Sequence, residues 1–189
     1  MPSPSTTIAY AWTLLLIVWL PAYFTSKKGA RTPVPGLQIA NTGLIALSFF
    51  LLFSGNQPSP LNLRIVRPPT WLAQVGAGLS VASVVFAIWS RITLGSNWSG
   101  AFATIKHDHE LVCSGPYARI RHPIYTGLLL AMLGTALTIG TVASYLAVVL
   151  ASVAFVLRIR IEEALLTAQF PKIYPEYKRR TCALIPFLW

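Results

Sequence analysis

The chain has 189 residues, 54% of them hydrophobic and only 11% charged, with a mean hydropathy of +0.61; a soluble domain carries about a quarter charged residues. That balance excludes an ordinary soluble protein and leaves a polytopic membrane protein of one domain, 1–189. The net charge of +10 does not point to nucleic acid, because the Lys and Arg residues sit in loops between apolar runs, as membrane topology requires.

The first apolar run, Ile8 to Thr25, is about long enough to span, since a spanning helix needs roughly 17–25 residues. No positive n-region precedes it, so it reads as a retained helix rather than a cleaved signal. A basic loop (Lys27, Lys28, Arg31) separates it from the second run, Leu37 to Ser54. Asn41 and Gly43 near the start of that run fit helix packing in lipid better than chemistry. A Pro-rich connection with Arg64 and Arg67 leads to the third run, Trp71 to Ser90. There Gly76, Ala77, Gly78, Ser80, Ala82 and Ser83 offer a smooth face for close packing. These three helices make up residues 1–90, and a more polar stretch from Arg91 to Lys106, with room for an interfacial helix, follows.

From Ile124 to Leu157 there are 34 residues without a charge. One straight helix of that length would measure about 51 Å at about 1.5 Å per residue, beyond a hydrocarbon core of about 30 Å. Gly140, with Thr138 and Thr141 beside it, is the natural turn, giving a tight antiparallel hairpin near 124–138 and 142–157. After Leu157 the pattern changes to an amphipathic helix, 158 to about 169, and a polar tail to 189. The expected fold is therefore all-α, with about five transmembrane helices and a cytoplasmic C-terminal amphipathic helix. With the N-terminus outside, thirteen of the fifteen Lys and Arg residues face inward, in agreement with the positive-inside rule.

The segment 91–127 ends in the most polar and turn-rich block, 109–127, wedged between apolar runs. Gly115-Pro116 is a turn signal and His122-Pro123 a second break before an apolar helix. Pro suits the first helical turn, so Pro123 is expected to start that helix. Tyr117, His122 and Tyr125 then stand at a membrane edge. Four of the five acidic residues (Asp108, Glu110, Glu162, Glu163) lie in or directly beside this block or at the start of the amphipathic helix. Arg158 and Glu162, four apart, can pair on one helix face, an arrangement that is also common for structural reasons alone. Cys113 and Cys182 form neither a metal-ligand pattern nor a disulfide framework.

Three motif segments, His109-Glu110-Leu111-Val112, Ser114-Gly115-Pro116-Tyr117 and Arg121-His122-Pro123-Ile124-Tyr125-Thr126-Gly127, resemble the signature of the isoprenylcysteine carboxyl methyltransferase family. The similarity resumes at Arg158 to Glu163 and runs through Tyr174-Pro175-Glu176-Tyr177 to Phe187, covering about residues 95–189. The family's members are integral membrane enzymes that use S-adenosylmethionine. The resemblance implies cofactor contacts at His109, Glu110, Leu111, Val112, Tyr117, His122, Pro123, Ile124 and Tyr125, and catalytic roles for Arg158 and Glu162 beside the acceptor's carboxylate. Two departures stand out: the N-terminal membrane region is shorter than in eukaryotic members, and a cofactor-binding Gln of the family falls near Phe102.

Methyl transfer from a sulfonium is an in-line displacement whose demands are mostly positional. A carboxylate nucleophile is already ionised near neutral pH and needs no general base. A sulfonium favours aromatic faces and nearby carboxylates, and Tyr117, Tyr125, Glu162 and Glu163 are the candidates. Arg158 can orient a carboxylate by a two-pronged contact while Glu162 holds it in place. The expected partners are a lipophilic or prenylated acceptor entering from the bilayer and the membrane lipids themselves. Three alternatives remain open on the sequence: a phospholipid or other amine N-methyltransferase, an NADPH-dependent membrane reductase with a similar Arg-His-Pro-x-Tyr segment, and a non-enzymatic membrane adaptor.

Overall fold

The computed structural model describes residues 2–24, 35–55, 57–98 and 110–184. They form helices α1 (Pro4–Phe24), α2 (Pro35–Phe53), α3 (Thr70–Leu94), α4 (Pro123–Ile139), α5 (Val142–Gln169) and α6 (Ile173–Arg180), with short 3-10 turns at Gly95–Asn97 and Gly115–Ala118. Helices α1, α2, α3 and α5 are long and apolar enough to cross a membrane. At 17 residues, α4 is about 26 Å long, short of a full span of about 30 Å. The protein is an integral membrane protein. Large apolar side chains such as Leu14, Ile17, Phe50, Trp89 and Val149 face outward, as lipid contact allows.

In lipid, helices associate through close packing rather than through a hydrophobic effect between them. The α3–α4 interface, the most extensive, follows that rule. A Cβ at Gly76 would lie 2.6 Å from the Gly134 carbonyl oxygen, and one at Gly134 would lie 2.5 Å from that of Gly76. Lower down, a Cβ at Gly127 would meet the Ser83 carbonyl at 2.9 Å. The smooth face expected on α3 is therefore real for Gly76, Ala77, Ser80 and Ser83, which are buried, whereas Gly78 and Ala82 point away. Gly43 on α2 likewise has nothing within 4 Å of its Cβ position, so it does not serve the close packing expected of it. Helix α1 crosses α3 and locks to α4 through Trp12, whose Nε1 donates to Thr135 Oγ1 at 3.0 Å while its ring meets Phe49 and Phe53 of α2 edge-on.

The hairpin turn falls where its length and composition require. Gly140 adopts the left-handed conformation (φ 76°) as the C-cap of α4, and the Thr141 side chain caps α5 by accepting from the Ser144 N–H. The connection before α3 packs onto this turn, with Val66 N–H donating to the Gly140 carbonyl and Val142 N–H to that of Leu63.

Two boundaries differ from expectation. Helix α3 runs one turn past Ser90, to Leu94, and ends where Gly95 takes φ 57°. The amphipathic helix expected from residue 158 is not separate: α5 continues unbroken from Val142 to Gln169. A change from apolar to charged side chains does not interrupt the backbone ladder, no Gly or Pro intervenes, and the Arg158–Glu162 pair spans the junction on one face. The short C-terminal helix is α6, after Pro171. The stretch 99–109, which includes His109 and Phe102, lies outside the described residues.

Candidate active site

An open cleft of about 840 Å³ lies at the end of the bundle where α3 stops, α4 starts and α5 runs on. One wall is Leu94, Asn97 and Trp98 from the end of α3; the opposite wall is Leu165, Leu166, Tyr174 and Tyr177 from α5 and α6. Glu110, Leu111, Val112 and Tyr117 from the motif segment close the top, and His122, Ile124, Tyr125 and Glu162 form the floor.

The floor is a network of charge and stacked rings. Tyr125 Oη donates to Glu162 Oε1 at 2.6 Å, and Arg158 Nε donates both to Tyr125 Oη at 2.7 Å and to Glu162 Oε1 at 2.9 Å. His122 stacks on Tyr125, which stacks on Phe155. His122 Nδ1 stands 3.5 Å from Glu162 and its Nε2 stands 3.6 Å from Glu163, ion-pair rather than hydrogen-bond distances. Burial disfavours the imidazolium, but the two carboxylates outweigh it and hold the His122 pKa above its usual 6.5. Glu163 also accepts from Arg121 Nε at 2.7 Å and pairs with Lys178 at 2.6 Å.

The C-terminal segment holds this network in register. Residues 182–184 run parallel to 119–122, with Arg121 N–H donating to the Cys182 carbonyl and His122 N–H to that of Ala183. The Arg121 guanidinium donates to the carbonyls of Lys178 and Thr181 as well. Tyr177 Oη donates to the Tyr117 carbonyl at 2.7 Å, tying α6 to the motif turn. Burial pushes the Tyr117, Tyr174 and Tyr177 hydroxyls well above the usual phenol range, so all three stay protonated.

A match to the phospholipid methyltransferase family model extends over residues 71–173, from the start of α3 to the start of α6. The chain belongs to the phospholipid methyltransferase family. Among its relatives, the cobalt-zinc-cadmium resistance protein CzcN of Cupriavidus metallidurans is 35% identical over 124 residues, 63% of this chain and 53% of that protein. The protein-S-isoprenylcysteine O-methyltransferases of Tribolium castaneum and Xenopus laevis are each 33% identical, over 62% and 63% of this chain and 43% and 42% of theirs. A solved structure of the eukaryotic intramembrane Ras methyltransferase, isoprenylcysteine carboxyl methyltransferase, superposes with a TM-score of 0.59 at 27% identity, over 79% of this chain and 53% of the other. The chain thus spans about half the length of the relatives it matches. The isoprenylcysteine carboxyl methyltransferase resemblance drawn from the motif segments agrees with these relatives and with that structure.

Within this family framework, the residues singled out in the sequence divide into three groups. Glu110, Leu111, Val112, Tyr117, His122, Ile124, Tyr125 and Glu162 line one cleft. Pro123, Glu163 and Arg158 do not. Pro123 is buried as the first residue of α4, and Glu163 anchors Arg121 and Lys178. Arg158 lines a narrow crevice between α2 and α5 instead, with Gln38, Asn41 and Ile161. His109 falls outside the described residues. Sequence reasoning missed Asn97, Trp98, Arg121, Leu165, Leu166, Tyr174 and Tyr177 as site residues. Arg121, Tyr174 and Tyr177 stand in the motif segments, and Leu165 and Leu166 follow Glu162 at helical spacing, signals that mark the cleft face of α5.

Proposed function

We propose that this chain transfers a methyl group from S-adenosylmethionine to a lipophilic acceptor, the carboxylate of an isoprenylcysteine-like substrate, at the membrane interface. The observation that carries the reading is the Tyr125–Glu162–Arg158 triangle: Tyr125 and Glu162 face the cleft, and Arg158, bonded to both, faces the crevice between α2 and α5. The cleft residues suit the cofactor. Trp98, Tyr117, Tyr125 and Tyr177 present aromatic faces, with the carboxylates of Glu110 and Glu162 beside them, as a sulfonium and an amino group require. When bound, the cofactor supplies an electrophilic methyl group.

The chain's own residues then have to position, exclude water and hold charge. The acceptor carboxylate is ionised without help. Arg158 orients it, and Glu162, with the Tyr125 hydroxyl, fixes the guanidinium. Trp98 is itself held by Arg91, whose guanidinium carbon lies 4.5 Å from the ring centre, and by Trp19 edge-on. The excess of Lys and Arg on one side of the bundle supports a cytoplasmic cleft, with the N-terminus outside.

The family model's phospholipid description favours a second reading, methylation of a lipid amine. Such an acceptor must first lose a proton and would approach the Arg158 cation, whereas a carboxylate is attracted to it. The test is tritiated methyl transfer by the purified protein to N-acetyl-S-farnesylcysteine and, separately, to phosphatidylethanolamine. The expected product is a base-labile methyl ester on the prenylcysteine alone, with turnover about a hundredfold lower in Glu162→Ala, the scale of loss when a reacting group is mispositioned. A base-stable methylamine, or unchanged turnover in the variant, contradicts the reading.

A further inference from the structure

We infer that Arg119, Arg160, Arg179 and Arg180 form a binding surface for the headgroups of anionic phospholipids, at the end of the bundle where the cleft opens. The inference goes beyond the methyl-transfer reading and does not depend on it.

The helices fix the level at which these residues stand. Val149, Val153 and Leu157 mark the lipid-facing stripe of α5, and Arg160, exposed, is the first charge on that stripe. It lies about 27 Å along the helix from Val142, close to the thickness of a hydrocarbon core of about 30 Å. Helix α4 leaves the same hairpin and, at about 26 Å long, brings the chain to a matching level at His122. Residues 182–184 run beside 119–122, with Cys182 N–H donating to the Arg119 carbonyl at 3.0 Å. Arg119, and Arg179 and Arg180 at the end of α6, are thereby held near the level of Arg160. Trp89, exposed in the last turns of α3, stands at this end too, as aromatic residues do at a membrane interface.

Charge identifies the partner. Glu162 and Glu163 are matched within the site by Arg158, Arg121 and Lys178. Outside it, Arg179 and Arg180 share the single carboxylate of Glu176, while Arg119 and Arg160 are exposed and pair with no carboxylate among the described residues. The inner face of α6 is occupied, since Tyr174 is buried and Tyr177 is bonded to the motif turn. Its arginines point the other way, with side chains 75% and 73% exposed. A guanidinium takes a phosphodiester in a two-pronged contact. Each basic residue near a membrane surface adds about fivefold in affinity for anionic lipid. A zwitterionic headgroup carries an ammonium beside its phosphate and is attracted less. A soluble polyanion would have to displace lipid to reach this level, so a lipid headgroup is the better fit.

The experiment titrates delipidated full-length protein with dioleoylphosphatidylglycerol and, separately, with dioleoylphosphatidylcholine, reading each affinity by native mass spectrometry. The wild type should prefer phosphatidylglycerol by at least about tenfold, less than the worth of two basic residues. Arg119→Gln, Arg160→Gln, Arg179→Gln and Arg180→Gln combined should bring the ratio to near one, with phosphatidylcholine bound as before. Arg64→Gln with Arg67→Gln, in the connection that packs on the α4–α5 turn at the opposite end, should leave the preference intact. Equal wild-type affinities overturn the inference, as does a preference that survives in the fourfold variant or is lost in the Arg64/Arg67 variant. Displacement of phosphatidylglycerol by inorganic phosphate at equal concentration also overturns it, because the site would then be one for free phosphate. If the fourfold variant does not stay monodisperse, Arg160→Gln alone decides: a preference lowered about fivefold is expected, and an unchanged one overturns the inference.

Discussion

His122 is the residue on which the two carboxylates of the cleft floor converge. Its ring is buried, stacked on Tyr125 and placed between Glu162 and Glu163 at 3.5 and 3.6 Å. Because these carboxylates raise its pKa above 6.5, protonation of His122 stabilises the fold. That contribution is complete below the unfolded value and is lost as pH rises through the folded one. Cofactor-free protein should therefore lose thermal stability as pH climbs from 6.5 upward, and His122→Gln should remove that slope; a slope that persists in the variant would assign it to another group. Much of this residue-level arrangement was legible. The four-residue spacing of Arg158 and Glu162 announced their pairing, and Pro123 announced the helix start below His122. The roles of Arg121 and Tyr177 were not legible, because they depend on a tail that folds back across about sixty residues of chain.

At the level of elements, the bundle is built around backbone contact between α3 and α4. Gly76 and Gly134 approach so closely that a single added methyl group on either would strike the other's carbonyl. Gly134→Ala should force the helices apart and cost about 1–3 kcal/mol, as overpacking of a dense interior does. The measurement is the temperature at which detergent-purified protein ceases to be monodisperse; an unaltered temperature would show that the interface is looser than described. The same substitution at Gly78, which faces open space, should have little effect. Composition identified a small-residue stripe on α3 but could not choose between Gly76 and Gly78, since that choice depends on how α4 docks. The hairpin turn was readable because an uncharged run of 34 residues exceeds the membrane thickness and Gly140 stands near its centre. The continuity of α5 past Leu157 was less so, because a change in polarity resembles a boundary although nothing in the backbone stops the helix.

Taken whole, the molecule is a compact membrane bundle whose polar residues gather at one end. Two compartments meet there, the aromatic cleft and the narrow crevice between α2 and α5, joined by the Arg158–Tyr125–Glu162 triangle. This layout suits a reaction between a water-soluble donor and a membrane-dissolved acceptor, each reaching the same triangle from its own phase. The motif segments are separated in sequence because the α4–α5 hairpin lies between them, and α6 and the 182–184 segment bring the chain back to the same end. Whether the cleft holds an S-adenosyl cofactor is decided by calorimetric titration of S-adenosylhomocysteine into the purified full-length protein, with NADPH in parallel. The expected result is saturable binding of S-adenosylhomocysteine, no binding of NADPH, and loss of the adenosyl isotherm in Tyr125→Ala. Binding of NADPH alone, or of neither ligand by folded protein, would contradict it.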